Sequence, residues 1–310
     1  METCNEYRVQ AIHIDNIFMH THYQVSQCRV FTLDKFKVGH MMTIKRFLVL
    51  SIVSLWIAGC ATSPTGRHQL MLVSEESAIV SSKEAYLSTV KELDQAGKIE
   101  DGRAINSRVE TITGRLITEA IKMRPDTANW EWSVVVIDDP EMVNAWCMAG
   151  GRMAIYTGLI EKIQPTDDEL AQVMGHEISH ALAKHTAEKM SVQMATAVGV
   201  AVVGVASDNT GVALTGAALT AMLAVTLPNS RAAENEADQI GIELAARAGY
   251  DPRAAATLWQ KMGEESKSGM PQFLSTHPNP ENRQEKLATM EKKMLPLYSP
   301  ESDHPVYRMQ

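Results

Sequence analysis

The residues best suited to chemistry form one short motif, in which two histidines lie four positions apart and a glutamate follows the first. These residues are His176, Glu177 and His180. In an α-helix, positions four apart lie on the same face, so two imidazoles can bind one metal ion while the glutamate projects beside them. Neutral imidazole is a good zinc ligand, and zinc-activated water can lose its proton to a nearby carboxylate. The motif therefore predicts metal-assisted hydrolysis with Glu177 as the base.

A catalytic zinc ion needs a third protein ligand and an open fourth position for water. His185 is the first candidate, but it follows His176 by nine residues and would lie about half a turn off the ligand face of a continuous helix. No glycine is present to turn the chain back, so we expect His185 to be structural or to support a ligand. Glu234 and Asp238 are better candidates, because their four-residue spacing allows one to bind metal and the other to hydrogen-bond a ligand histidine. The same spacing is common on solvated helices, so it leaves both interpretations open.

The motif lies inside a predicted helix with a clear start. Thr166 and Glu169 form a capping-box pattern with acidic residues in the first turn, so a helix is expected from there to about Met190. Helical spacing predicts further helices at residues 74–92, 103–122, 232–248, 253–263 and 280–294. The runs 132–137 and 153–156 predict two strands, with a tight reversal between 144 and 152. The predicted fold class is α+β, mostly helical, with a small antiparallel sheet beside the motif helix.

Residues 192–227 are rich in small apolar side chains and contain a single charged residue, Asp208. We interpret them as two closely packed helices joined near residues 208–211, because small residues permit close approach and neither half is strongly apolar. A membrane hairpin, or a surface that faces a membrane or a substrate, is the alternative. The sequence leaves the role of this segment open.

The first 60 residues resemble a secretory leader rather than part of a globular fold. Lys45 and Arg46 precede a short uncharged run, Phe47 to Ala58, which is shorter than the roughly 20 apolar residues of a membrane span. The ending Ile57 to Cys60 resembles a bacterial lipoprotein box, in which Cys60 would be the lipidated first residue of the mature chain. An uncleaved anchor helix is the alternative, and it too would place the rest of the chain outside the cytoplasm.

Composition limits the classes of function. The 310 residues are 45% hydrophobic and 21% charged, which fits a folded chain with a sizeable core. The net charge is −8, and removal of residues 1–59 leaves 23 basic and 33 acidic side chains, so no overall basic field exists to bind nucleic acid. Only Cys60 and Cys147 remain after cleavage, and with Cys60 lipidated no internal disulfide is available. Cys147 is expected to be a packed thiol.

Three motifs together resemble a known family. In chain order they are Gly175-His176-Glu177-x-x-His180, Ser230-Arg231-x-x-Glu234-x-Glu236-Ala237-Asp238 and Thr276-His277-Pro278. In this order and spacing they are similar to the zinc endopeptidases that include HtpX, the CAAX prenyl proteases and the mitochondrial Oma peptidase, the forty-eighth M family of metallopeptidases. The leader, the stretch from Thr65 to Glu76 and the turn Asn144 to Trp146 resemble the family's periplasmic lipoprotein branch. The similarity covers essentially all of the mature chain.

The resemblance implies a gluzincin-type site that holds one Zn²⁺ per chain. The implied zinc ligands are His176, His180 and Glu234, with Glu177 as the base. Asp238 would orient a ligand histidine or assist proton transfer, and His277 would stabilise the oxyanion of the tetrahedral intermediate.

The resemblance also implies a cleft edge formed by Asn144, Ala145 and Trp146, where a substrate would add as an extended strand through main-chain hydrogen bonds. Glu236 would face elsewhere. Arg231 and Arg283 would form structural salt bridges.

The leader and the resemblance together predict the domain organisation. Residues 1–40 are expected to be a non-native upstream extension, 41–59 a lipoprotein signal peptide, 60–73 the lipidated cysteine and a tether, 74–296 the zinc metallopeptidase domain, and 297–310 a C-terminal tail. The tether is inferred from a polar stretch without periodicity.

The predicted function is that of a lipid-anchored zinc metalloendopeptidase on the periplasmic side of a bacterial envelope, with the outer membrane as the expected location. Its partners would be unfolded or misassembled protein substrates and the membrane that holds the lipid, but no nucleic acid; an oligomer is compatible with the sequence. The alternative is an envelope-protein assembly or chaperone-like factor that uses the zinc fold as a scaffold. The presence of Glu177 beside both histidines favours chemistry, because a scaffold needs no base.

Overall fold

The computed structural model describes residues 60–206, 212–265, 272–277 and 283–309. Its strands are β1 Cys60–Thr62, β2 His68–Leu70, β3 Ser133–Ile137, β4 Ala145–Cys147 and β5 Arg152–Tyr156. Its α-helices are α1 Glu75–Gln95, α2 Arg103–Met123, α3 Thr157–Ile163, α4 Asp167–Leu182, α5 His185–Ala206, α6 Val212–Arg247, α7 Ala254–Glu265, α8 Gln272–Thr276 and α9 Arg283–Met294. Short 3₁₀ helices lie at Pro125–Asn129 and Leu295–Leu297. The predicted extension and leader, residues 1–59, lie outside this described part.

Helix α4 carries the histidine motif and packs on the other main elements. It begins with the predicted capping box, in which the Glu169 N–H donates to Thr166 Oγ1 at 3.2 Å and the Thr166 N–H donates to Glu169 Oε2 at 2.9 Å. Almost every residue from 169 to 182 is buried, because α2, α6 and the sheet all pack on this helix. The mostly helical fold predicted from the sequence is confirmed.

A glycine on each helix allows α4 and α6 to cross closely. A Cβ atom on Gly175 would lie 2.9 Å from the carbonyl oxygen of Gly241, and one on Gly241 would lie 2.8 Å from the backbone nitrogen of His176. Both distances are shorter than van der Waals contact, so any larger side chain would push the helices apart. The crossing therefore places the acidic residues of α6 next to the histidine face of α4.

The small sheet beside α4 has the strand order β3-β5-β4 and is mixed rather than wholly antiparallel. The predicted reversal is present: β4 and β5 form an antiparallel hairpin through Gly150 and Gly151, which have φ values of 87° and 82° that favour glycine. Strand β3 pairs parallel to β5. The reason is that the chain reverses twice, once before β4 and once after it, and so returns to its first direction.

Helix α4 ends at Leu182, so the predicted continuation to Met190 is wrong. Lys184 adopts a left-handed conformation with φ 59°, and α5 begins at the next residue. The freed carbonyl groups are capped from distant parts of the chain, because Arg124 Nη1 donates to Leu182 O at 2.8 Å and Gln69 Nε2 donates to Ala183 O at 2.7 Å. The turn therefore needs no glycine.

Helices α5 and α6 cover most of the small-residue segment and pack against each other, as interpreted from the sequence. Their predicted junction at residues 208–211 lies outside the described part of the chain. Helix α6 is continuous, so the predicted separate helix at 232–248 is the second half of a longer one. Within the described residues, no helix is both long and apolar enough to cross a membrane.

Residues 60–70, the first part of the segment predicted to hold the lipidated cysteine and a tether, form a β-hairpin. Strands β1 and β2 pair antiparallel, and Gly66 turns the chain between them with φ 84°. The polar residues that suggested a tether are used in contacts with α5 and α6. At the other end of the chain, the tail packs on α2, where the Tyr307 N–H donates to Gly114 O at 3.0 Å.

Candidate metal centre

Four side chains converge at the histidine face of α4. His176 and His180 lie on α4, Glu234 lies on α6 and His277 follows α8, and their ligand atoms all lie within 4.8 Å of one another. His176 Nε2 is 3.1 Å from His180 Nε2 and 3.3 Å from His277 Nδ1. Glu234 places Oε2 3.4 Å from His176 Nε2 and Oε1 3.6 Å from His180 Nε2. The fold thus brings the three ligands predicted from the sequence to one point.

The spacing and chemistry of these atoms fit a zinc ion. Ligand atoms about 2.0 to 2.1 Å from a tetrahedral ion lie about 3.3 Å apart, which matches the distances within the cluster. Imidazole and carboxylate lone pairs that face one another at this spacing repel unless a proton or a metal cation lies between them. His176, His180 and Glu234 could therefore hold zinc, and His277 lies where a fourth ligand would.

Asp238 fixes the orientation of His176. Its Oδ1 atom is 3.0 Å from Nδ1 of His176, which directs the other ring nitrogen into the cluster. Arg283 Nη2 donates to the same oxygen at 2.5 Å, and the guanidinium lies 3.3 Å from the ring centroid of Trp259. The salt bridge expected of Arg283 is present, and it holds a residue of this site. Arg231 forms no ion pair with the described residues.

The contacts within the cluster set its protonation. Burial lowers the pKa of His176, but hydrogen bonds to Asp238 and Glu234 outweigh burial and raise it to about 9. Burial raises the pKa of Glu234, but hydrogen bonds to His176 and His277 bring it far below its ordinary value. Burial and then the charge on His176 hold the pKa of His180 well below its ordinary value. Without a cation, the cluster therefore keeps a proton on His176 at neutral pH.

Glu177 lies beside the cluster with one carboxylate oxygen unused. Its Oε1 atom is 3.4 Å from His277 Nε2, but the two are not aligned for a hydrogen bond, and this oxygen has no hydrogen-bond partner among the described residues. The residue is 2% exposed, and burial raises its pKa against the opposing effects of His277 and His176. A buried carboxylate with a raised pKa and a free lone pair is a good proton acceptor.

His277, predicted to stabilise an oxyanion, lies among the ligand atoms in this structure. Its Nδ1 atom is 3.2 Å from Glu234 Oε2. Its ring lies against that of Phe273 in a tilted arrangement with centroids 4.7 Å apart, and the backbone N–H of His277 donates to Phe273 O at 2.9 Å. With zinc bound, the imidazole in this place would be a fourth ligand, at the position that a catalytic zinc site leaves to water. It would have to move away from Glu234 to serve an oxyanion.

His185 contacts a proposed ligand, which is one of the two roles expected of it from the sequence. His185 Nδ1 is 2.8 Å from His180 Nδ1, and Glu236 Oε2 is 3.2 Å from His185 Nε2. Glu236 lies outside the group of ligand atoms, but it contacts His185, because the end of α4 at Leu182 redirects His185 toward α6. No local sequence signal marks that helix end, since its carbonyl groups are capped from elsewhere in the chain.

The predicted cleft edge lies on β4, an edge strand that packs on α4. Ala145 is buried, so it can offer a substrate only its backbone. Trp146 is half-buried, with its ring 5.9 Å from that of Tyr86 in an edge-on arrangement. Asn144 Oδ1 is buried without a hydrogen-bond partner in the part of the chain that the structure describes.

Cys147, also on β4, is a free and buried cysteine. Burial raises the pKa of its thiol well above the ordinary value. It is therefore the packed thiol expected from the sequence. Cys60, the predicted site of lipidation, is the first residue of β1.

Comparison with known proteins identifies a family to which this site belongs. The model of a family described as "Peptidase family M48" matches residues 104–291, more than half of the chain. The chain is 33% identical over 270 residues to the mitochondrial metalloendopeptidase OMA1 of Bos taurus, which covers 83% of this chain and 50% of that protein. It is 39% identical over 161 residues to the mitochondrial metalloendopeptidase OMA1 of Arabidopsis thaliana, covering 51% of this chain and 31% of that protein.

A bacterial relative is the beta-barrel assembly-enhancing protease of Escherichia coli K12. It is 29% identical over 207 residues, which cover 63% of this chain and 40% of that protein. The chain thus spans half or less of the length of these relatives.

Proposed function

Because this chain belongs to peptidase family M48, we propose that it is a zinc-dependent endopeptidase whose reaction takes place at the cluster on α4. The observation that carries the proposal is the convergence of four ligand atoms beside a buried carboxylate oxygen of Glu177 that has no hydrogen-bond partner among the residues described. In this proposal His176, His180 and Glu234 hold the zinc ion.

Bound zinc would supply a Lewis acid that polarises a peptide carbonyl and acidifies water. Glu177 takes the proton of the attacking water at its unused oxygen and passes it to the leaving amine. Asp238 keeps the Nδ1 proton of His176 in place, so that the other nitrogen stays directed at the cluster. His277 withdraws from the ligand atoms before water can enter, and its ring can then donate to the developing oxyanion.

The substrate is proposed to add to the free side of β4 as an extended strand. Edge strands offer unpaired backbone groups, and pairing of this kind reads backbone shape more than side chains. The buried Oδ1 atom of Asn144 accepts no hydrogen bond from the described residues. Ala145 would contribute its backbone and Trp146 its half-buried side chain. Such a mode suits unfolded or misassembled proteins, whose chains are accessible as extended segments.

The proposed setting is the periplasmic side of a bacterial envelope, with the chain lipid-anchored through Cys60 in the outer membrane. The leader-like sequence before Cys60 supports this, as does the similarity to a relative named for β-barrel assembly. Fatty-acid labelling of cells tests the anchor: the parent chain should carry label, and a labelled Cys60→Ala variant would overturn the assignment.

The experiment that tests the activity compares the purified mature chain with its Glu177→Gln variant on unfolded casein. The parent should cleave casein, lose activity to a chelator and regain it with zinc. Glu177→Gln should bind zinc as the parent does but cleave at least about a hundredfold more slowly, since general-base catalysis contributes that much or more. Glu84→Gln, a change of an exposed glutamate on α1, serves as the matched control and should cleave normally.

Equal cleavage by the parent and Glu177→Gln would contradict the role of Glu177. Rescue of an envelope-assembly defect by both chains, with no cleavage by either, would favour the assembly or chaperone-like function over proteolysis.

A further inference from the structure

We propose that the hairpin turn from Ser63 to Arg67 positions the imidazole of His180 by way of Glu236 and His185. The inference rests on the proposed metal site, in which His180 is a ligand. It assigns Glu236 and His185 as positioning residues, and it makes the N-terminal hairpin part of the site rather than a tether.

The first link is between two imidazoles. His180 directs Nε2 to the cluster, and its Nδ1 atom lies 2.8 Å from His185 Nδ1. A histidine that binds metal through one nitrogen is normally oriented by a hydrogen bond from the other. The N–H at Nδ1 of His180 therefore donates to the lone pair of His185 Nδ1, and this bond fixes which nitrogen of His180 faces the metal.

The second link fixes His185 itself. If its Nδ1 accepts, its proton must lie on Nε2, which is 3.2 Å from Glu236 Oε2. His185 is the first residue of α5, and the end of α4 just before it gives the ring this direction. Glu236 thus acts on His180 as Asp238 acts on His176, but with one imidazole inserted between the carboxylate and the ligand.

The third link is between Glu236 and the hairpin. Ser63 Oγ, Thr65 Oγ1 and Arg67 Nε all donate to the Glu236 carboxylate, the last at 2.6 Å. No hydrogen bond joins this carboxylate directly to His180 in the described part of the chain.

The hairpin is itself clamped to α5. Arg67 donates to both oxygens of Glu188, at 2.7 and 2.6 Å, in a bidentate pair. Gln69 donates to Glu188 Oε2 at 2.9 Å and to the Ala183 carbonyl at the end of α4. The hairpin therefore spans the break between α4 and α5, where the direction of His185 is decided.

The test measures zinc affinity by competition with a chromophoric chelator, using the purified mature chain. Glu236→Gln should weaken zinc binding about 10- to 100-fold, the usual effect of removing a residue that orients a metal ligand. It should also shift the visible spectrum of the cobalt-substituted protein, which reports the ligand geometry directly.

Glu169→Gln is the matched control, because Glu169 is a buried carboxylate that pairs with Lys261 at the other end of α4 and has no contact with the hairpin or His185 among the described residues. It should lower the thermal midpoint of the zinc-free protein yet change zinc affinity by less than about threefold. Equal losses of zinc affinity in the two variants would mean that the loss follows from general destabilisation, and the proposal would be overturned.

A second variant covers the case in which Glu236→Gln does not fold. The double change Ser63→Ala and Thr65→Val removes two of the donors and leaves the carboxylate and the salt bridge in place. Zinc affinity should fall several-fold, with an altered cobalt spectrum. Parent-like affinity and spectrum would overturn the positioning role. Because neither readout uses catalysis, this failure is distinguishable from a failure of the proposed protease activity.

Discussion

The two sides of the metal centre hold their histidines in different ways. On one side, Asp238 contacts His176 directly, and Arg283 and Trp259 bury the pair. On the other side, His180 contacts the imidazole of His185, which contacts the carboxylate of Glu236, and the β1–β2 hairpin holds that carboxylate. The first side is short and buried, whereas the second is long and half-exposed at its outer end. The comparison indicates that the His176 side contributes more to stability, and that the His180 side is the more easily perturbed.

The largest expected effect is a difference in stability between variants of Arg283 and Arg67. Arg283→Met leaves the buried carboxylate of Asp238 with His176 as its remaining charged partner and should lower the free energy of unfolding by about 3 to 5 kcal/mol. Arg67→Met leaves Glu188 and Glu236 without the cation that they share, but the Arg67 side chain is 20% exposed, so water compensates in part and a loss of about 1 to 3 kcal/mol is expected. Urea unfolding of the zinc-free proteins measures both.

The control for these variants is Arg253→Met, which removes an exposed partner of Asp251 and should leave the unfolding free energy nearly unchanged. If Arg67→Met destabilises the chain as much as Arg283→Met does, the proposed difference between the two sides is wrong.

A second prediction uses pH to distinguish the two histidines in the zinc-free protein. The pKa of His176 is raised to about 9, so its contribution to stability is complete below about pH 6.5 and is lost as the pH rises through 9. The pKa of His180 is lowered, so the unfolded chain takes up a proton at this histidine more readily than the folded chain does. The contribution of His180 to the unfolding free energy is therefore lost as the pH falls below about 6.5. Unfolding free energies measured from pH 5 to 10 should therefore pass through a maximum near neutrality.

Asp238→Asn sharpens this test, because it removes the strongest partner that raises the pKa of His176. The decline in stability above neutral pH should become shallower, while the acid side keeps its slope. If the unfolding free energy of Asp238→Asn falls above neutral pH as steeply as that of the parent, a group other than His176 causes the decline.

The His176 side could be predicted from the sequence because its geometry is local. His176 and His180 share a helix face, and so do Glu234 and Asp238, so spacing alone limits where their side chains can meet. Spacing alone could not show whether Glu234 and Asp238 form part of a metal site or lie on a solvated helix face. The close helix crossing at Gly175 decides this, because it brings both residues to the histidines.

The His180 side could not be predicted because long-range contacts determine it. Helix α4 ends where it does because Gln69 and Arg124 cap its carbonyl groups, and both lie far away along the chain. If α4 were continuous, His185 would point away from the site and could not contact Glu236. The same kind of error affected β3, whose parallel pairing depends on where two later reversals place β5.

The smallest expected effect lies in the hairpin turn. Gly66 has φ 84°, and a Cβ there would lie more than 4 Å from every described residue other than its two chain neighbours, so Gly66→Ala costs only the strain of the left-handed conformation, about 1 to 2 kcal/mol. Gly97→Ala is its match, since Gly97 has φ 65° and equally open surroundings in the turn after α1. The two variants should lose similar stability, but only Gly66→Ala should also weaken zinc binding, by a few-fold, because only its strain is transmitted through Arg67 and Glu236 to His180. Since the strain is matched, a change in zinc affinity confined to Gly66→Ala cannot arise from general destabilisation. Equal zinc affinity in both variants would show that the hairpin tolerates distortion without moving the ligand.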